Sequence, residues 1–173
     1  MSTSEQILLR AWQRSDIPSL VRYADNRKIW LNLRNIFPHP YTRAEAENWI
    51  AICESMQGPT TNFAIESRGE AIGGIGCRIH DDVHCKTAEV GYWLGEPFWG
   101  RGIATTAVKQ ISEYAFRTFS LERLQALVFE WNPASARVLE KAGYVLEGRL
   151  RHSIFKDGRV ADALLYARIR TVS

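Results

Sequence analysis

A chain of 173 residues and 19.7 kDa fits the roughly 100–200 residues of one domain, read here as residues 1–173. Its 46% hydrophobic and 24% charged residues are those of an ordinary globular domain and exclude disordered and fibrous classes. The formal charge of +3, from 22 Lys and Arg against 19 Asp and Glu, is spread along the chain, which excludes the clustered basic stripe of a nucleic-acid binder and requires any acidic ligand to be held locally.

Ile7 to Trp12 reads as a first strand, and Ser15 ahead of DIPSLVRYAD as an N-cap opening a short helix, with Asp16 near the positive end of its dipole. From Lys28 to Tyr41 there is little periodicity but many large apolar residues, the mark of an ordered loop with helical turns. Thr42 and Glu45 have capping-box spacing and start a helix to about Gln57. Asn62–Ser67 and Glu70–Ile79 are β-rich runs joined by Arg68 and Gly69 as a hairpin, and Ala88–Leu94 is the next strand. Beyond the break at Gly95 to Pro97, apolar residues recur at Ile103, Ala107, Val108, Ile111, Ala115 and Phe119, a helical spacing over four turns. Leu124–Phe129 is a short apolar strand. Asn132 and Pro133 read as N-cap and N1 of a helix ending at Gly143. Two last strands, Tyr144 to Phe155 and Val160 to Arg168, meet at the hairpin signal Asp157-Gly158. Such an order predicts an α+β fold with a mixed sheet.

Cys53, Cys77 and Cys85 are odd in number and show no C-x-x-C spacing, so they read as reduced thiols rather than a disulfide framework or zinc site. The opening MSTSEQILLRAW has no basic region ahead of an apolar stretch, and no run reaches the roughly 18 apolar residues of a membrane span. A cytoplasmic protein with no membrane partner is expected.

The chemistry is concentrated in AEVGYWLGEPFWGRGIATTAVKQI, where a strand runs into a glycine-containing turn that opens the long helix. Gly100 and Gly102 let backbone approach a ligand with no Cβ in the way, and the first helical amides lack intrahelical partners. With the helix dipole they make an anion site suited to a pyrophosphate; the other reading is an ordinary strand-to-helix turn. A P-loop is excluded because Gly100 lacks the G-x-x-x-x-G-K-[ST] partners, and a dinucleotide fingerprint because Thr105 stands where its third glycine belongs.

The same stretch resembles the acetyl-CoA signature of the GNAT acetyltransferases, [RQ]-x-x-G-x-[GA]. It aligns on Trp99 to Ala104 with Gly102 and Ala104 in place, and Trp99 stands where the signature has Arg or Gln. EVGYWLGEPFWGRGIAT resembles in particular the RimJ/RimL-type ribosomal-protein N-terminal acetyltransferases. Downstream, NPASARVLEKAGYVLEG resembles that branch's N-x-x-S-x-x-[LV]-x-E-K-x-G-[FY] element, and FPHPYT and the closing EG-x-L-R-x hairpin resemble it too. The likeness covers nearly the whole chain and is loosest in the N-terminal third.

This resemblance implies a mixed, mostly antiparallel sheet of about seven strands flanked by about four helices, in which Ala88–Leu94 splays from Leu124–Phe129 to bind acetyl-CoA. Acetyl-CoA contacts are implied for Trp93, Leu94, Trp99, Gly100, Arg101, Gly102, Ile103, Ala104 and Thr105, most through backbone, and for Asn132. Arg137 and Lys141 are implied as partners of the 3′-phosphate, with solvated helix-surface cations as the alternative. Asn132 is also an N-cap whatever else it does. Ser135 is implied as the acid that protonates the departing thiolate, because Leu139 stands where many members carry a tyrosine; a local backbone bond is its competing role. Glu89 is the leading base, as a partly buried carboxylate beside the acyl site with a raised pKa; its competing role is an ion pair with a lysine such as Lys86. HDDVHC, His80 to Cys85, lies between strands and reads as a polar loop, so no metal is expected. The function implied is direct acetyl transfer from acetyl-CoA to a primary amine in a ternary complex, the acceptor being a protein N-terminus. The alternatives are a small-molecule amine or antibiotic N-acetyltransferase, or a catalytically silent CoA-binding sensor. An exposed edge strand favours a homodimer.

Overall fold

In the computed structural model, which describes residues 6–171, seven strands form one sheet: β1 (Leu8–Arg10), β2 (Asn62–Ser67), β3 (Glu70–Ile79), β4 (Thr87–Leu94), β5 (Arg123–Phe129), β6 (Val145–Lys156) and β7 (Arg159–Ile169), in the order β1-β2-β3-β4-β5-β7-β6. The first residues of the stretch read for a leader lie outside the described residues. Both hairpin signals are where the chain reverses. Arg68, Gly69, Asp157 and Gly158 all have positive φ, at 51°, 83°, 52° and 72°, as a type I′ turn requires at its two central positions.

All neighbours are antiparallel except β4 and β5, which are parallel and paired only from Thr87–Arg123 to Glu89–Gln125. Beyond Glu89, β4 keeps β3 alone, out to Leu94 opposite Gly73. β5 keeps β7 alone, out to Phe129 opposite Ala163. The sheet is therefore two half-sheets that meet at Glu89 and part towards the C-terminal ends of β4 and β5.

Five helical segments flank it: α1 (Ile17–Ala24), α2 (Arg27–Trp30), α3 (Arg43–Ser55), α4 (Ile103–Phe119) and α5 (Pro133–Lys141). The one beyond the expected four is α2, a four-residue turn of helix at the start of the apolar loop. Entry to α1 also differs from the sequence reading. Asp16 rather than Ser15 accepts from the Gln13 amide (2.9 Å), and the Arg10 guanidinium clamps it at 2.7 and 2.8 Å. Thr42 does cap α3, accepting from the Glu45 amide at 3.3 Å.

The two sheet faces have separate cores. Ile103, Val108 and Ile111 of α4 and Leu139 of α5 pack on Val90, Leu94, Leu124 and Val128. On the other face Leu20 of α1 and Ile50 of α3 pack with Trp12, Tyr41 and Ala64. Side chains alternate along a strand, so Val90, Tyr92 and Leu94 face α4 and α5 while Glu89 and Trp93 face the other way. Trp93 lies flat over β3 because position 74 is glycine; a Cβ there would stand 2.7 Å from its Nε1.

Candidate active site

The turn that ends β4 holds two left-handed residues, Gly100 (φ 75°) and Gly102 (φ 78°). That conformation costs an L-residue about 1–2 kcal/mol. A Cβ built on either glycine would meet nothing within 4 Å, so the protein leaves a cradle that a side chain would fill. Gly102 is the N-cap of α4, with no side-chain cap and no acidic residue in the first turn. The first intrahelical bond is Thr106 N–H to the Gly102 carbonyl at 3.1 Å. The amides of Ile103, Ala104 and Thr105 thus have no acceptor within the helix and sit at the positive end of its dipole, facing that cradle. These features fit a pyrophosphate. Trp99 supports the turn: its indole N–H donates to the Leu94 carbonyl at 2.7 Å, tying the turn to the end of β4. Arg101 lies with its guanidinium 5.6 Å from the Phe98 ring.

Within the opening between the half-sheets, the Tyr92 hydroxyl of β4 meets the Ser135 hydroxyl of α5 at 2.6 Å, and the Ser135 carbonyl at 3.3 Å. Burial pushes the Tyr92 hydroxyl up to about 12, against the opposing pull of its bond to Ser135. It therefore stays protonated at neutral pH. When Tyr92 donates to the Ser135 oxygen, the serine hydrogen is left free to donate elsewhere. Asn132 caps α5, accepting from the Ser135 amide at 3.3 Å, which fixes the backbone that presents this hydroxyl.

Glu89 stands on the opposite face, at the last paired position before the strands part. Its ion-pair partner is Arg78 of β3, at 3.5 Å, with the glutamate side chain 19% exposed. Lys86, the partner expected from sequence, instead donates to the Ser120 carbonyl at 3.1 Å. Arg137 and Lys141 are exposed on α5. The rings of His80 and His84 are 6.3 Å apart, and among the described residues no cluster of three His, Cys, Asp or Glu could hold a metal ion.

The loop from Lys28 to Tyr41 closes the open end of the gap. Phe37 packs on Trp93 at the end of β4, with ring centroids 6.0 Å apart. Asn32 accepts from the indole N–H of Trp131, just after β5, at 3.1 Å. A family model described as an acetyltransferase (GNAT) domain matches residues 6–145. The chain belongs to the GNAT acetyltransferase family. It is an acetyl-CoA-dependent N-acetyltransferase of the RimJ/RimL-like branch.

The chain is 28% identical to the ribosomal-protein-serine acetyltransferase of Escherichia coli, over 98% of this chain and 96% of that protein. Its fold matches Mycobacterium smegmatis RimJ in complex with CoA-disulfide (TM-score 0.81, 26% identity, 94% of this chain and 81% of that one). It also matches Vibrio cholerae spermidine N-acetyltransferase in complex with CoA and spermine (TM-score 0.79, 25% identity, 95% of each chain).

Two residues of this GNAT site escape a reading by motif. Tyr92 lies inside the recognised strand, and its partnership with Ser135 follows only once strand alternation is combined with the Asn132 cap. Arg78 is visible only through the register that sets it opposite Glu89.

Proposed function

We propose that this GNAT enzyme acetylates a primary amine by direct attack in a ternary complex, with Glu89 as base, Ser135 as acid and a protein N-terminus as acceptor. The supporting observation is the parted strand pair, with the Tyr92–Ser135 hydroxyls on one face and the Glu89 carboxylate on the other at the point of parting. An amine and a leaving thiolate need a proton acceptor and a proton donor on opposite sides of the reacting carbon.

Acetyl-CoA supplies the acetyl group activated as a thioester. The amides of Ile103, Ala104 and Thr105 hold its pyrophosphate, and the edge of β4 beyond Glu89 offers unpaired strand amides to its pantetheine arm. Glu89 takes one ammonium proton and passes it to solvent, the amine nitrogen bonds to the acyl carbon, the carbon–sulfur bond breaks, and the nitrogen gives its second proton to Glu89 as the amide forms. An amide at Trp93 or Leu94 meets the charge that develops on the carbonyl oxygen. Ser135 gives its proton to the sulfur while Tyr92 donates to the serine oxygen, and solvent restores the proton.

The full-length likeness to the Escherichia coli ribosomal-protein enzyme favours an N-terminal amine. The likeness to the spermidine enzyme supports a second reading, a small-molecule amine. A silent CoA-binding domain would have no use for the Tyr92–Ser135 pair. Thiol release from acetyl-CoA across a panel of peptides, polyamines and aminoglycosides, with mass spectrometry of the products, separates the three. An acetylated peptide α-amine supports the first reading, an acetylated polyamine or aminoglycoside the second, and CoA binding without turnover the third.

A further inference from the structure

Neither the fold nor the transfer chemistry accounts for Lys156. It is the last residue of β6, 1% exposed, and its Nζ has no hydrogen-bond partner. Lysine is almost never buried without a counter-charge, because an ammonium stripped of water needs hydrogen-bond acceptors in return. Here the group facing the ammonium is the Trp30 ring, 3.7 Å from Nζ to the centroid. The adjacent carboxylate, Asp157, is engaged by Arg27 at 2.7 Å. Burial lowers the Lys156 pKa, with Asp157 opposing.

Lys156 lies on the hairpin that packs against α2 and the loop after it. Trp30 ends α2, within the segment that spans the ends of β4 and β5. The hairpin bearing Lys156 is fastened to that segment by Arg27–Asp157 and by Asn35, which donates to the Phe155 carbonyl at 3.2 Å. Across the same mouth Arg159 stands 5.2 Å from the Trp131 ring. The carboxylates nearby are already committed: Asp25 accepts from the Tyr41 amide at 2.9 Å and lies 3.6 Å from His39, and Glu96 binds Asn26 and Lys28. Asp25, Glu96 and Asp157 each have a polar partner, whereas the Lys156 Nζ has none. A polycationic acceptor finds no uncommitted carboxylate among these groups, whereas an anionic one finds a waiting ammonium.

We propose that Lys156, beneath the Trp30 ring, recognises an anionic oxygen group, a carboxylate or a phosphate, on the molecule whose amine is acetylated. The proposal rests on the transferase reading above and narrows its acceptor. Displacing the partly exposed Trp30 ring exchanges its π-face for an oxyanion, a charge-assisted contact stronger than the one it replaces.

The test uses the full chain, acetyl-CoA and peptides of one length that begin with Ser and carry Glu, phosphoserine, Gln or Lys next. Wild type should show kcat/KM at least about tenfold higher for an anionic peptide than for the Lys peptide, as expected for a close charge pair. The Glu and phosphoserine arms tell carboxylate from phosphate. Lys156→Met should bring the ratio within about twofold with the KM for acetyl-CoA unchanged, and Lys156→Arg should keep the preference. Lys156→Met should melt no lower than wild type, since an apolar chain of similar length replaces an unpaired buried charge. A wild type indifferent to charge, or a preference that survives Lys156→Met, overturns the proposal. If no peptide is acetylated although CoA binds, the protein-N-terminus reading fails separately. Peptide binding then decides: the same tenfold preference, lost in Lys156→Met, sustains the role of Lys156, and equal affinities refute it.

Discussion

Replacing Gly102 by valine separates two consequences of one φ angle. At φ 78° and ψ 0° a β-branched residue is strained by about 1–2 kcal/mol, and no protein atom lies within 4 Å of the new Cβ to add a clash. A domain of this size loses about 2–4 °C in Tm per kcal/mol, so the variant should melt about 2–8 °C lower and still unfold cooperatively. The Cβ, however, occupies the cradle before the amides of Ile103 to Thr105. Loss of two amide-to-phosphate bonds at about 1.5–3 kcal/mol each weakens CoA binding by about 100- to 20,000-fold. Gly58, at φ 82° with nothing within 4 Å of a built Cβ, supplies the control: Gly58→Val carries the same strain and should leave CoA affinity unchanged. Titration calorimetry with CoA beside thermal melts reads both. A folded Gly102→Val binding CoA within about threefold of wild type would refute the anion-site assignment.

Ser135→Ala should lower kcat about 10- to 1,000-fold with little change in the KM for acetyl-CoA, and Tyr92→Phe should lower it less; a Ser135→Ala enzyme as fast as wild type would leave that serine only structural. With a high-pKa amine, kcat/KM should fall on the acid side if a carboxylate base is needed. Glu89→Gln should lose that limb and most activity; a limb that follows the acceptor's own pKa and persists in the variant assigns the proton to solvent. Burial pushes Tyr92 and Tyr144 up to about 12. Between pH 10 and 12 the unfolded chain therefore holds fewer protons than the folded one, and stability falls as pH rises through that window. Tyr92→Phe should flatten the fall in alkaline denaturant melts, and an unchanged slope would contradict the assignment.

Much of the fold was legible because its signals are local. Arg68-Gly69 and Asp157-Gly158 need only their own φ angles, and Asn132-Pro133 caps α5 by chemistry contained within four residues. Ser15 misled because it has the type of an N-cap, while Asp16, held by Arg10 from β1, takes the bond; a clamp from another element leaves no mark on the capping pattern. Glu89 and Ser135 lie in stretches that carry the family resemblance, but the contacts of Arg78, Tyr92 and Lys156 cross strands or hairpins. Their pairings depend on register and on which half-sheet parts from which. Lys156 in particular sits beside a turn signal, where a lysine ordinarily reads as a solvated charge, and the Trp30 ring over its Nζ comes from a distant element.

Direct passage of the acetyl group to an amine held beside Glu89 leaves a kinetic signature, read from initial rates with acetyl-CoA and a peptide bearing a free N-terminus varied together, with mass spectrometry of enzyme and product. Intersecting double-reciprocal lines, one free thiol per acetylated amine and an unmodified enzyme are predicted. Parallel lines with an acetylated enzyme, or thiol release without an acetylated amine, would contradict it.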